Sequence, residues 1–308
     1  MRCAPISIPV YGRVDHVKRC INSLLSNSLS VNTVLYIYSD APSPGDERRV
    51  DEVRRYIKSI EGFKEVVVIE QQVNKRLGNI IESMEGPLNN HSSLIYLEED
   101  LVVADSFLQF MNESLEYYEN DRRIFSVTGF TQPPCIDPAS STVSASSIFS
   151  AWSCGLWRDK YLSFKSFYGE ASLHDRLALI SSETLRMIMD HTFQMYFYSY
   201  HLSKLGKLTP DWAIGYYIWV NKLLQVYPPV SLVSQTGLDG SGWHSAVDDR
   251  FDHFLAKGIS VKLIQEFDDC VAKKDFNKIK RFHGLGPLND AKFILKSLIK
   301  LALRKKLF

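Results

Sequence analysis

Three adjacent carboxylates are the residues of this sequence best suited to chemistry. Glu98, Glu99 and Asp100 follow directly after a mostly apolar run, residues 94–97, and a second apolar run comes after them. Adjacent carboxylates repel one another and are costly to remove from water unless a cation or hydrogen-bond donors compensate their charge. Oxygen ligands suit hard ions such as Mn²⁺ and Mg²⁺. The triplet therefore predicts a divalent metal site, with a solvated acidic loop as the alternative.

The pattern around the triplet predicts an α/β fold. Apolar runs with strand character alternate with segments of helical apolar spacing through the first part of the chain. The predicted strands are residues 6–10, 33–39, 66–70 and 94–97, and the predicted helices are residues 14–25, 47–60, 77–84 and 106–118. This alternation indicates βαβ units and a mostly parallel sheet, in which ligands bind beyond the carboxyl ends of the strands. The triplet follows such an end.

The composition indicates a folded protein of one large or two fused domains. The chain has 308 residues, of which 45% are hydrophobic, and such a chain can bury a sizeable core. A net charge of +1 gives no global signal for nucleic acid, and we predict no nucleic-acid partner. The five cysteines are odd in number and include no CxxC pair, which favours reduced thiols in the cytoplasm. Neither a secretion signal nor a membrane-spanning segment is predicted.

The second part of the chain differs in composition from the first, and we place the boundary near residue 130. A segment rich in small residues, 133–147, precedes predicted helices at 182–205 and 210–224 and a short predicted strand at 230–233. Pro210 suits the first turn of the second of these helices. The glycines of the loop 237–245 allow its backbone to approach a ligand closely.

Eight short segments carry the most distinctive residues of the chain. They are PISIPVYGRVDHVKRCINSLLSN, LYIYSDAP, NKRLGNIIES, LIYLEEDLVVADSFLQFMN, FSVTGF, SAWSCGLW, TPDWAIGYYIWV and GLDGSGWHS. Together, over roughly residues 5–246, they resemble bacterial glycosyltransferases of the GT-A fold. The layout is similar to that of inverting, Mn²⁺-dependent N-acetylglucosaminyltransferase-like enzymes.

The resemblance implies a Rossmann-like, mostly parallel central sheet flanked by helices. It divides the chain into a nucleotide-sugar-binding half, residues 1–130, and an acceptor and catalytic half of the same domain, residues 131–248. Residues 249–308 are expected to form a C-terminal helical tail.

The resemblance also implies roles for the residues nearest the donor. Asp100 would contact the metal on the nucleotide diphosphate, and Glu98 and Glu99 would support the ribose, the sugar or metal-bound water. The first strand-to-helix turn would lie against the nucleotide through Pro9, Tyr11 and Arg13.

Two further residues would meet the nucleotide. Asp40 resembles the acid that accepts a hydrogen bond from uracil N3, which favours UDP over GDP; an aspartate that only forms a turn is the alternative. Arg76 would meet a phosphate, and a solvated surface arginine is the alternative there.

On the acceptor side, Trp152 and Trp157 match an aromatic cluster that forms a wall of the sugar or acceptor site, with core packing as the alternative. The family's second Gly-Trp-like pattern is replaced here by CGLW, which leaves the acceptor contacts open. Glu170 lies in a loop that would close over the substrate or is simply solvated. His244 would be a second metal or diphosphate contact, or a structural histidine.

An inverting transfer needs a carboxylate within hydrogen-bond reach of the acceptor hydroxyl that it deprotonates. Asp211, just after Pro210, resembles the acid-tryptophan site of the family and is the predicted general base. The alternative is an acid that only interacts favourably with the helix dipole in the first turn.

The functional prediction is a metal-dependent hexosyl- or N-acetylhexosaminyltransferase. It would move a sugar from a nucleotide-diphosphate sugar to a hydroxyl of a glycan or lipid-linked acceptor, by resemblance in the synthesis of a bacterial lipopolysaccharide or capsule. One alternative is a nucleotide-sugar-binding protein without turnover. Another is a sugar nucleotidyltransferase, although the glycine- and lysine- or arginine-rich phosphate loop of such enzymes is missing.

Residues 290–308 are predicted to form a helix on a membrane surface. Basic residues recur at i+4 and apolar residues lie between them, so that an anionic membrane would be a partner. The expected location is therefore cytoplasmic and peripheral, at the inner face of the cytoplasmic membrane. A helix packed on the domain is the alternative.

Overall fold

The computed structural model describes residues 3–169, 209–241, 247–251, 255, 258–286, 288, 289, 291, 292 and 295. Its strands are β1 (Ile6–Val10), β2 (Val34–Ser39), β3 (Glu65–Glu70), β4 (Ser93–Tyr96), β5 (Leu101–Val103), β6 (Ile124–Thr128), β7 (Ser144–Ser146), β8 (Cys154–Trp157), β9 (Leu224–Tyr227) and β10 (Val233–Gln235). Its helices are α1 (Val14–Leu25), α2 (Glu47–Ile57), α3 (Leu77–Asn90), α4 (Phe107–Tyr117), α5 (Arg158–Gly169), α6 (Pro210–Val220) and α7 (Asp269–Phe282).

Eight of these strands form one sheet in the order β3-β2-β1-β4-β8-β6-β9-β7. The ladders among β3, β2, β1 and β4 are parallel, and so is the ladder between β6 and β9. Strand β8 lies between β4 and β6 and is antiparallel to both, while β7 is antiparallel to β9. Strands β5 and β10 form a separate antiparallel pair. The predicted α/β class, with a largely parallel central sheet flanked by helices, is confirmed.

The helices cover the sheet because each has an apolar face. In α1 the buried residues include Val17, Cys20, Ile21 and Leu24, at the spacing of one helical face. The helix packs against β5 and α2, whose Val50, Val53 and Ile57 are also buried. The four side chains of α1, with Val53 and Ile57 of α2, join the strand residues in one large hydrophobic core.

Several predicted boundaries were wrong. Helix α3 continues through Pro87 to Asn90, rather than ending at residue 84, and the proline lies in its last turn. Helix α6 ends at Val220 and strand β9 follows, whereas the prediction ran the helix to residue 224. The strand predicted at 230–233 is Val233–Gln235. The predicted helix at 182–205 lies outside the described residues.

Within the part of the chain that the structure describes, no helix combines the length and apolarity needed to cross a bilayer. Of the predicted tail helix, residues 291, 292 and 295 are described and are helical. The remainder of residues 290–308 lies outside the described residues.

Candidate active site

The carboxyl ends of β1, β2 and β4 meet at one edge of the sheet, and the acidic triplet lies there. The ladder between β1 and β4 stops after the Leu97 N–H donates to the Ser7 carbonyl at 3.0 Å. Pro9 is the next residue of β1 on this side, and it has no N–H to continue the ladder. The two strands therefore separate, and Glu99 accepts a hydrogen bond from the N–H of Tyr11 at 2.8 Å in the gap.

Arg13 neutralises part of the triplet. Its Nε donates to Glu99 Oε1 at 2.8 Å, and its Nη2 donates to Asp100 Oδ2 at 2.7 Å. Burial raises the pKa of Glu99, while Arg13 and the Tyr11 N–H oppose that rise by stabilising the carboxylate. Burial lowers the pKa of Arg13, but the two carboxylates outweigh it and raise the pKa above its usual value. The site thus contains a compensating cation of its own.

Glu98 has a different environment from its two neighbours. Burial, together with the negative charges of Asp100 and Asp211, raises the pKa of Glu98 to about 8. Glu98 is therefore mostly protonated at neutral pH. The charge of Asp211, at the start of α6, contributes to this rise. Its role as the general base stays a prediction. Asp211 is exposed at the start of that helix, where its carboxylate is open to solvent.

Asp100 is held by its backbone and enclosed by the chain after β10. Its carbonyl accepts hydrogen bonds from the Thr236 N–H at 2.9 Å and the Thr236 hydroxyl at 2.8 Å. Gly237 follows so closely that a Cβ at that position would collide with the Asp100 carboxylate. Only a glycine leaves room for this side chain.

The carboxylate of Asp100 fits as one ligand of a divalent metal whose other ligands come from water and substrate. Its Oδ1 is buried and has no hydrogen-bond partner, so it remains available as an oxygen ligand. Among the described residues, no group of three or more histidine, cysteine or acidic side chains is arranged to hold a metal. Mg²⁺ sites commonly use one or two carboxylates together with water and phosphate oxygens. Asp100 therefore fits as a protein ligand beside a diphosphate.

Asp40 fixes the start of α3. Its Oδ1 accepts the N–H groups of Ala41 and Lys75, each at 2.9 Å, and its Oδ2 accepts the N–H of Arg76 at 2.7 Å. Arg76 has φ 51° and ψ −111°, a conformation that is costly for a residue with a side chain and that this bond helps to hold. Both carboxylate oxygens therefore have protein partners. Recognition of uracil by Asp40, and of phosphate by Arg76, stay predictions.

The two tryptophans of SAWSCGLW lie at opposite ends of β8. Trp152 precedes the strand at the edge that carries the triplet, is partly buried and meets Phe130 and Phe251 edge-to-face at ring distances of 4.7 and 5.1 Å. Trp157 pairs with Ser93 at the start of β4, is 2% exposed and donates its ring N–H to the Leu115 carbonyl at 3.0 Å. Trp157 was expected to form part of the wall of the sugar or acceptor site. It packs in the core instead.

Other parts of the site were not predicted from the sequence. The His16 Nε2 lies 3.2 Å from the Thr236 carbonyl oxygen and 3.2 Å from Asp239 Oδ2, and thereby links α1 to the glycine-rich loop. The Tyr11 hydroxyl donates to Asp46 at 2.8 Å and so fixes the loop after β2. A histidine two residues into a helix gives no sequence signal for such a contact. The predicted residues His244 and Glu170 lie outside the described residues.

Comparison with known proteins identifies no family. No family model matches the chain, and no curated protein matches it. Solved structures that are similar at low levels include the following three. S. aureus TarS has 12% identity over 42% of this chain and 21% of that chain, with a TM-score of 0.31. Mannosyltransferase PcManGT from Pyrobaculum calidifontis in complex with GDP-Man and Mn²⁺ has 11% identity over 51% of this chain and 44% of that chain, with a TM-score of 0.38. A cytidylyltransferase from Leptospira borgpetersenii has 12% identity over 54% of this chain and 65% of that chain, with a TM-score of 0.33. The chain thus spans less than half the length of the first two, and similarity at this level carries no functional conclusion.

Proposed function

We propose that this protein is a metal-dependent glycosyltransferase that moves a sugar from a nucleotide-diphosphate sugar, with UDP favoured, to a hydroxyl group. The observation that carries the proposal is the meeting of two acids from distant parts of the chain at the carboxyl edge of the sheet. Asp100 offers a buried oxygen without a partner, and Asp211 offers an exposed carboxylate near Glu98. Ligand sites of open α/β sheets occur at this edge.

In this proposal the donor diphosphate lies against the turn of Tyr11 and Arg13, and Asp100 holds the metal on the diphosphate. When bound, the metal supplies positive charge that stabilises the leaving diphosphate. Arg13 adds a second positive charge on the same side of the site. The high pKa of Glu98 leaves it protonated at neutral pH, so it is suited to donate a hydrogen bond to the donor rather than to accept a proton.

Asp211 is the proposed general base. In an inverting displacement, the acceptor oxygen forms a bond to the anomeric carbon while the bond from that carbon to the diphosphate oxygen breaks. The proton of the acceptor hydroxyl passes to the Asp211 carboxylate. Trp152, beside the triplet, would contact the apolar face of a sugar, and His244 and Glu170 would contribute from the residues that are not described. The proposed acceptor is a glycan or lipid-linked intermediate of bacterial surface polysaccharide synthesis at the inner membrane face.

The experiment is a nucleoside-diphosphate release assay with UDP- and GDP-sugars, each with and without Mn²⁺ and a panel of sugar acceptors. We expect Mn²⁺-dependent, acceptor-dependent release for a UDP-sugar, and its loss in Asp100→Ala with the fold retained. Binding of a nucleotide sugar without release would identify a binding protein instead. Pyrophosphate release from a nucleoside triphosphate and a sugar phosphate would identify a nucleotidyltransferase, and either result would overturn the proposal.

A further inference from the structure

We propose that Arg13 is an exchangeable counter-cation. Its guanidinium pairs with Asp100 before the donor binds and moves to the diphosphate of the donor on binding. The divalent cation and the nucleotide therefore bind cooperatively. This inference rests on the proposed function, because it takes a diphosphate and a divalent cation as the ligands of the site. It adds a positioning role for Arg13, whose guanidinium controls when Asp100 is free to hold a metal.

The contacts of Arg13 show how a cation of the protein itself holds the carboxylates. The guanidinium bridges two side chains, with Nε on Glu99 and Nη2 on Asp100, and all three side chains are largely buried, at 18%, 9% and 10% exposed. Glu99 has a second donor in the Tyr11 N–H. Asp100 Oδ2 accepts a hydrogen bond from Arg13, and within the described part of the chain its Oδ1 has no hydrogen-bond partner. Loss of Arg13 would therefore affect Asp100 more than Glu99.

A divalent cation on Asp100 would have to share this carboxylate with the guanidinium. Two cations on one carboxylate repel each other strongly in a partly buried site, where solvent screens charge weakly. The space is also limited, because Gly237 packs directly against Oδ2. Arg13 in its present position thus competes with metal binding. Removing its charge should make Mn²⁺ bind more tightly to the protein alone.

A diphosphate would give the guanidinium of Arg13 an alternative ion-pair partner. The planar guanidinium matches phosphate oxygens as well as carboxylate oxygens, so little is lost when it changes partner. Arg13 immediately precedes α1 in the turn after β1, at the sheet edge where the proposed donor binds. If the diphosphate takes Arg13 from Asp100, the nucleotide increases the affinity for the metal. By linkage, the metal increases the affinity for the nucleotide by the same factor.

The test measures Mn²⁺ binding by electron paramagnetic resonance, with the protein alone and with saturating UDP or GDP. Wild type is compared with Arg13→Gln, with Arg13→Lys, and with Arg48→Gln as a control for net charge, since Arg48 is an exposed arginine paired with Glu52 on α2. We expect Arg13→Gln to bind Mn²⁺ alone about tenfold more tightly, within the usual range of coupling between sites. The enhancement of Mn²⁺ affinity by UDP should fall by a similar factor. Association of Mn²⁺ with UDP in solution is common to all the proteins and cancels in the comparison.

Arg13→Lys and one further variant, a double substitution, keep the test specific. Arg13→Lys retains a positive charge and should retain most of the competition, and Asp100→Asn combined with Arg13→Gln should remove the gain in Mn²⁺ affinity. Circular dichroism melts verify that each variant is folded. Unchanged or weaker Mn²⁺ binding by folded Arg13→Gln, or an equal gain in Arg48→Gln, would overturn the inference. If wild type binds neither UDP nor GDP, the proposed function fails, while the Mn²⁺-only comparison still decides whether Arg13 competes for Asp100.

Discussion

The three carboxylates of the triplet are adjacent in sequence, yet each has a different environment. Glu99 and Asp100 share the guanidinium of Arg13. At Glu98, burial and the negative charges of Asp100 and Asp211 outweigh the positive charge of Arg13 and raise the pKa. Because environment sets the protonation state, the three acids are suited to different tasks. Asp100 can hold a cation, Glu99 can hold Arg13, and Glu98 can donate a proton in a hydrogen bond.

Replacing Glu98 with glutamine should stabilise the protein at neutral and alkaline pH in the absence of divalent cations. The pKa of Glu98 is about 8 in the folded protein, well above that of an unfolded glutamate. The folded state therefore binds more protons between about pH 4.5 and 8, and the free energy of unfolding falls as pH rises through this window. Glu98→Gln removes this loss, which we expect to be about 1–3 kcal/mol at pH 8 after solvent screening.

Urea melts of wild type and Glu98→Gln at pH 5 and pH 8, in buffer with a chelator, measure this effect. The difference between the two proteins should be small at pH 5 and large at pH 8. A Glu98→Gln protein that is no more stable at pH 8 than wild type would show that the carboxylate is not strained by its neighbours.

Replacing Asp211 with asparagine preserves the shape of the side chain and removes its basic carboxylate. We expect kcat to fall by about 10² or more, the scale of general-base contributions, with donor binding retained. Turnover and nucleotide-sugar affinity are measured together, with Asp51→Asn on the exposed face of α2 as the matched control. Turnover within a few-fold of wild type would place the base elsewhere, and Asp239 or Glu170 would be tested next.

At the residue scale, the sequence pattern predicted that the acidic triplet follows a strand end, and the resemblance implied that Arg13 and Asp211 belong to the same site. Neither predicted what holds the acids in place. The ion pairs of Arg13 and the contact of His16 with Asp239 join residues far apart in the chain. Such partners depend on side-chain packing, which one sequence does not encode in a local signal.

At the scale of elements, the site depends on the chain that leaves β10 and returns to the triplet. Strand β10 pairs with β5, which directly follows Asp100, so the glycine-rich loop begins beside the acid. The Thr236 N–H and hydroxyl then bind the Asp100 carbonyl. The ribbon of β5 and β10 thus fixes the position of Asp100 more firmly than the end of β4 alone would do.

Gly237→Ala should disturb this arrangement. The new Cβ would collide with the Asp100 carboxylate, so either the acid or the loop must move. We expect the free energy of unfolding to fall by about 1–3 kcal/mol, as overpacking does, and Mn²⁺-dependent turnover to fall by about tenfold or more through misplacement of Asp100.

The matched control is Gly215→Ala inside α6, where the nearest atom of the described residues to a new Cβ would be Phe149 Cβ, at an ordinary 3.8 Å. Alanine is favoured over glycine in a helix by about 0.5–1 kcal/mol, so this variant should be neutral or more stable in a urea melt. Equal stability and equal turnover of Gly237→Ala and wild type would contradict the close packing of the loop on Asp100.

The elements themselves were predicted unevenly, for physical reasons. Strands β1 to β4 and their helices have clear periodicity and short turns, so their positions were found within a few residues, except for the end of α3. Strand β8 is four fully buried residues, CGLW, with no alternation between faces to reveal it. Strand β9 was not predicted because the apolar run of α6 led to a helix prediction that extended to residue 224. The helix ends at Val220, and Lys222, between the helix and the strand, has a positive φ of 56°. The pairing of β9 with β6 is nonlocal and leaves no pattern in the sequence.

At the scale of the molecule, one sheet joins both parts of the chain. Strands from before and after residue 130 alternate in the order β4-β8-β6-β9, so the triplet, Trp152 and Phe130 lie along the same edge. Helix α7 packs on this second part through its buried Asp275, which accepts hydrogen bonds from the Tyr227 hydroxyl at 2.8 Å and the Ser144 hydroxyl at 3.0 Å. Helix α7 is therefore tied to the sheet.

The charge beyond this anchored helix is unevenly distributed. Residues 290–308 contain six basic residues and one acid, a net charge of +5, while the whole chain has +1 and the remainder therefore about −4. The basic residues Lys292, Lys296, Lys300 and Arg304 recur at i+4, and the apolar residues between them include Ile294, Leu295, Leu298, Leu301 and Leu303. Leu295, the described member of the apolar set, is 59% exposed.

A version of the protein that ends at Leu288 should therefore lose affinity for anionic membranes and keep its fold. Each basic residue near an anionic surface contributes about 1 kcal/mol of attraction, which salt screens. We expect the full chain to sediment with vesicles that contain phosphatidylglycerol, to bind neutral phosphatidylcholine vesicles weakly, and to be released by high salt. The shortened protein should stay in the supernatant with an unchanged melting temperature, because α7 keeps its contacts with β7 and β9. Equal binding of the two proteins to anionic vesicles would reject the membrane role, and a lower melting temperature would favour a tail that packs on the domain.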